Sequence, residues 1–192
     1  MVALAALAAC APAKQESPAA AAPAVQGDTR PGVFGKAAPG AIVTLTPVAA
    51  ADFPMPDGSV VIDQYAKRFV PDLVAPRIGQ PVDFLNSDEF GHNVIVHRRS
   101  SGALIFTTSI DKGQKYSHAF DRTGEYTVTC DLHEGMLAII YVTSSPYSVT
   151  ADSSGAFAIQ GVPPGEYTMV TVVPGGGSTE RRITVSPGRT SI

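Results

Sequence analysis

The chain has 192 residues, 44% of them hydrophobic, which is enough for one large or two small domains built on at least one apolar core. A formal net charge of −3 argues against a phosphate-binding surface for nucleic acid, and the short basic pairs Arg98-Arg99 and Arg181-Arg182 do not change that balance. Gly 18 and Pro 16 against only 7% aromatics point to many turns, with no obvious long amphipathic helix.

The chain opens with small apolar residues from Met1 to Ala9, closed by Leu7-Ala8-Ala9-Cys10. This run resembles the lipobox of bacterial lipoproteins, in which a signal peptidase cuts before the cysteine and the thiol carries a diacylglycerol. The resemblance implies a signal peptide over residues 1–10 and lipidation at Cys10. The run is well short of the ~20 apolar residues that a membrane-spanning helix needs. Residues 11–30 are rich in Ala and Pro and cannot bury enough apolar area to offset their ordering entropy, so they read as a tether. A lipid anchor followed by a tether implies a globular part held at a membrane, in the periplasm or cell envelope.

From Arg30 onward, short β-branched and aromatic runs recur between Gly, Pro, Asp and Asn. They include 41–45, 59–62, 82–85, 93–96, 104–106, 125–129 and 137–142. The spacing is that of a β-sandwich or barrel rather than of βαβ units. In the run ending at Cys130, the two-residue period puts Tyr126, Val128 and Cys130 on one face, expected to be the inner one.

Two cysteines in a secreted chain first suggest a disulfide, but Cys10 and Cys130 each sit in a motif that uses the sulfur separately. Cys130, His133 and Met136 follow the pattern C-x2-H-x2-M, and His92 lies 38 residues before the cysteine. A thiolate, two imidazoles and a weak thioether form the donor set that serves both Cu(I) and Cu(II) with little rearrangement. Gly135 lets the chain turn tightly enough to bring Met136 back over the metal. Zinc fits less well, because structural zinc rarely uses methionine. A buried free thiol with incidental histidines is the bland alternative, and four donors at matched spacing argue against it. His97 and His118 lack such partners and read as surface or strand-end residues.

Around these residues, Val82 to Val94 and Glu125 to Met136 resemble the two ligand segments of blue copper proteins, the cupredoxins, with the short loop spacing of amicyanins. The resemblance implies that His92 and His133 bind through Nδ1 and Cys130 as thiolate, in one mononuclear type 1 copper site. It also implies that Asn93 ties the two ligand loops together. Asp131 and Leu132 stand where a proline often precedes the histidine in that family.

Toward the carboxyl end, residues 155–167 follow a G-x-F-x-I-x-x-V-P-P-G-x-Y string that resembles the carboxypeptidase regulatory-like, transthyretin-related fold. That fold is expected to open with a strand pair such as 32–36 and 41–45. The expected organisation is an all-β protein: a Greek-key cupredoxin sandwich over 57–143, inserted into a second small transthyretin-like sandwich made of 31–56 and 144–192. The order of these segments, with Ile62-Asp63-Gln64 and Phe69-Val70-Pro71 ahead of the copper segment, resembles bacterial periplasmic proteins labelled methylamine-utilisation-like.

The function expected from these readings is a one-electron carrier between redox protein partners, and not an enzyme. Electrons would pass through the solvent edge of His133, with Phe90, Leu132, Met136 and Leu137 as an apolar docking patch. The alternative is a copper-binding or delivery protein without redox shuttling. An oxidase or nitrite reductase would need further histidine ligands, which His97 and His118 do not convincingly supply.

Overall fold

The computed structural model describes residues 31–49 and 53–192, so Cys10, the apolar run and the tether lie outside the described residues. No helix occurs among the described residues, and the chain runs through strands in two sandwiches.

The first sandwich packs two sheets formed by consecutive strands. One sheet has the order β4 (Arg68–Val70), β3 (Val60–Tyr65), β6 (Pro81–Asn86) and β9 (Lys115–Ala119). The other has the order β5 (Leu73–Val74), β11 (Leu137–Val142), β10 (Gly124–Thr129), β7 (His92–Arg98) and β8 (Leu104–Ile110). Alternation along the strands decides what lies between the sheets. Ile62, Phe84, Val94, Val96, Tyr126, Val128 and Ile140 are all at most 1% exposed and belong to one cluster. Full burial of each such side chain stabilises the fold by on the order of 1.5–3 kcal/mol. Cys130, at the end of the Tyr126–Val128 face, belongs to the same cluster, as does Met136. The inward direction expected for Cys130 is the one observed.

The second sandwich combines strands from both ends of the described chain. β1 (Gly32–Lys36) lies between β13 (Ala156–Gln160) and β16 (Arg189–Ser191). The facing sheet has the order β12 (Tyr147–Thr150), β2 (Ile42–Pro47), β14 (Gly165–Val172) and β15 (Ser178–Val185). Its core gathers Val33, Val43, Leu45, Phe157, Ile159, Tyr167 and Val185. Both strands expected to open this module are present, β1 in one sheet and β2 in the other. The connection between them crosses from sheet to sheet, with Ala37 N–H donating to Gly155 O and Gly40 N–H to Ala151 O.

Among the described residues, polar contacts run between the sandwiches and to the segment that connects them. Ser148 Oγ donates to Ala75 O at 3.3 Å, Gly175 N–H donates to Glu125 Oε1 at 3.3 Å, and Ser145 Oγ in the connecting segment donates to Leu45 O at 2.5 Å. Glu125 is also paired with Arg99 at 3.0 Å.

Candidate metal centre

Strand pairing brings together residues far apart in sequence. β7 begins at His92 and pairs antiparallel with β10, which ends one residue before Cys130. The two strand ends therefore lie side by side, and the loop 130–136 folds over them before β11 returns. Gly135 takes φ +80°, a left-handed conformation that costs glycine little and disfavours any side chain.

Three donor atoms converge there. His92, Cys130 and His133 each offer an atom within 4.8 Å of the others. His133 Nδ1 is 3.0 Å from His92 Nδ1, and Cys130 Sγ is 3.9 Å from His92 Nδ1. Imidazole nitrogens bind a first-row ion at about 2.0–2.1 Å and thiolate sulfur at about 2.3 Å, so pairs sharing one ion lie at most ~4.2 and ~4.4 Å apart. Both observed separations fall inside these limits. Two ring nitrogens 3.0 Å apart repel unless a proton or a metal lies between them, and a soft sulfur beside them suits copper. Met136 is 3% exposed and packs in the same core cluster as Cys130, which places the fourth expected residue on the buried side of the centre.

The two histidines have different surroundings. His92 is fully enclosed, and its Nε2 is 2.8 Å from Asp88 Oδ2. His133 is partly exposed. Phe90 lies against both rings, at 5.2 Å from His92 and 5.1 Å from His133 between centroids. Lys67 Nζ sits 5.2 Å from the centroid of the Phe90 ring, over its face. Desolvation, then the neighbouring His92 and Lys67, hold the His133 pKa below its ordinary value, which favours the neutral imidazole that a metal needs. For Asp88, desolvation pushes the pKa up, but hydrogen bonds from Lys67 N–H, His92 and Ala66 N–H outweigh it. The net shift is downward, and the carboxylate stays ionised.

Asn93 donates through Nδ2 to Asp131 Oδ1 at 2.7 Å and accepts from Ser109 Oγ at 2.6 Å. It thus links the His92 strand, the neighbouring strand β8 and the ligand loop, with Asp131 supplying the acceptor. Of the apolar residues expected around the site, Phe90, Leu132 and Leu137 are 40%, 57% and 53% exposed. Met136 is not part of that surface, because its side chain points into the core. His118 is not a surface residue either. It is half-buried on β9, with its ring 4.5 Å from Phe106 and 4.8 Å from Phe120. Burial among these rings lowers its pKa. His97 lies one residue before the end of β7 and outside the donor cluster.

Sequence reasoning missed Asp88. A carboxylate four residues before a ligand histidine was the available signal, but its other partners, Ala66 and Lys67, lie 22 and 21 residues away.

Residues 57–143 match the family of copper binding proteins described as plastocyanin/azurin. The match supports a cupredoxin domain over this segment. The chloroplastic plastocyanin of Chlamydomonas reinhardtii is 28% identical over 102 residues, which cover 50% of this chain and 68% of the plastocyanin. Among solved structures, the copper-containing nitrite reductase of Thermus scotoductus SA-01 is 26% identical with a TM-score of 0.42, over 51% of this chain and 25% of the reductase. An amicyanin variant in its oxidized state is 26% identical with a TM-score of 0.41, over 53% of this chain and 98% of amicyanin. The assignment of the cupredoxin domain rests on the family match and the donor set, and together they make this a copper protein with a single type 1 site. Residues 140–191 match a different family, described as polysaccharide lyase family 4, domain II. The second sandwich is accordingly described by its two sheets, and its transthyretin-related kinship is not carried further.

Proposed function

We propose that this protein carries single electrons between redox protein partners in the cell envelope. The observation that carries the reading is the asymmetry of the donor set: His92 is enclosed and His133 reaches the surface within one converging cluster. Copper, when bound, supplies a one-electron couple between Cu(I) and Cu(II). The protein's own part is positional. Cys130, Met136 and His92 are held by the strands and core of the sandwich, which limits rearrangement on a change of charge. His133 offers the solvent-facing edge, bordered by Phe90, Leu132 and Leu137, where a partner with an apolar contact surface can approach with little desolvation cost.

The envelope location is part of the same proposal and rests on the Leu7-Ala8-Ala9-Cys10 motif. Lipid attachment at Cys10 would tether the copper protein to the membrane. We read the cupredoxin domain as an insertion into the second sandwich, supported by the pairing of β1 with β13 and β16. We also read the protein as a carrier rather than an enzyme.

Reductive titration of the copper-loaded protein separates the carrier from a delivery protein. The proposal expects repeated reduction and reoxidation with the metal retained. Release of copper on reduction would favour delivery and contradict the carrier reading.

A further inference from the structure

The β3–β4 hairpin turns through Ala66 and Lys67, both in the left-handed region at φ 53° and 57°. Two-residue turns of this hand favour Asn-Gly or Gly-Gly, because other side chains crowd the backbone there. Tyr65-Ala66-Lys67-Arg68 contains neither Asn nor Gly, so another interaction must hold the turn. Ala66 N–H donates to Asp88 Oδ1 at 2.7 Å, and Lys67 N–H donates to Asp88 Oδ2 at 2.9 Å. The same Oδ2 lies 2.8 Å from His92 Nε2. Asp88 is itself fixed: its N–H donates to Asn86 Oδ1 at 2.9 Å, and Asn86 Nδ2 donates to Phe90 O and Ile110 O. One carboxylate thus joins a disfavoured turn, the 86–92 loop and a ligand histidine.

An ionised carboxylate can only accept hydrogen bonds. It therefore requires the Nε2–H tautomer of His92, and that tautomer leaves the lone pair on Nδ1, the atom facing Cys130 and His133. A carboxylate on the far side of a ligand imidazole also strengthens it as a donor and favours the more positive metal state.

We propose that Asp88 is the positioning residue of the metal centre, locking His92 with Nδ1 toward Cys130 and His133 and tying that ring to the Ala66–Lys67 turn. This inference rests on the copper reading of the site. It adds a specific role for the hairpin: through Asp88, the turn braces a metal ligand.

The test combines a metal-free and a copper-loaded readout on the full chain. Nitrogen-15 NMR of the metal-free protein should find His92 protonated on Nε2 and bare on Nδ1. Asp88→Asn keeps the shape and removes the charge, and it should raise the reduction potential. Asp88→Ala should mix the two His92 tautomers and weaken Cu(II) affinity about 10- to 100-fold. Repeating Asp88→Ala in an Ala66→Gly/Lys67→Gly background separates this effect from loss of the hairpin, because that turn no longer needs the carboxylate. Wild-type His92 protonated on Nδ1 would overturn the proposal. So would wild-type potential in Asp88→Asn together with wild-type affinity in the glycine background. If the wild-type protein takes up no Cu(II), the copper reading falls, and the tautomer still judges the role of Asp88.

Discussion

His92 begins a seven-residue strand, is fully enclosed and is held by Asp88, whereas His133 sits in the turn between two strands and is partly exposed. The first is placed by the sandwich core and its hydrogen bonds, and the second by a short loop whose backbone depends on Gly135. The difference teaches that the centre divides its work. The strand side fixes the donor geometry, and the loop side gives access.

This comparison fails most visibly if the two histidines behave alike. His92→Gly should abolish tight Cu(II) binding, and added imidazole should not restore it, because the vacated space is closed to solvent. In His133→Gly, added imidazole should restore coloured copper binding, as followed by visible titration. Rescue of both variants, or of neither, would remove the distinction. On the loop side, Gly135→Ala places a side chain at φ +80° with open space around it, so backbone strain is the main penalty. A loss of about 1–2 kcal/mol in metal-free stability is expected from denaturant midpoints. On the strand side, Ala66→Gly relieves a left-handed alanine while adding unfolded-state freedom, for a net gain of about 0.5–1 kcal/mol in the same measurement.

The smallest effect belongs to the sheet behind His92. Asp83 accepts from Ser117 and Ser59 hydroxyls and pairs with Lys115, and these interactions, Ser117 foremost, hold its pKa below the ordinary 3.8. A lowered folded-state pKa gives stability that is fully present above the unfolded value and is lost as pH falls through the folded value. Wild type and Asp83→Asn should therefore differ at neutral pH and converge in acid below that range. Lys115 is 55% exposed, so solvent screening keeps its share of the effect small. Stability curves that stay parallel down to strong acid would contradict this assignment.

Much of this organisation is legible in the sequence, and the omissions share a physical cause. Strands with β-branched or aromatic runs, such as 125–129 and 137–142, are readable because they bury alternate side chains in the core. Lys115–Ala119 is not, since its inward residues are the half-buried Tyr116 and His118 between polar neighbours. Ser178–Val185 has five exposed residues in a row, and backbone pairing with β14 holds it at a sheet edge. The Cys130–Met136 spacing is local and therefore visible. The Asp88 contacts depend on strand pairing that brings a distant turn beside the ligand loop, and no local pattern encodes that.

The central claim is that Cys130 and the two histidines form one type 1 copper site. The most direct test is the visible spectrum of the purified protein on addition of Cu(II), with Cys130→Ser alongside. The account predicts an intense charge-transfer band from the thiolate in the wild type and its loss in the variant. A colourless copper complex in the wild type, or a band that survives removal of the thiol, would contradict it.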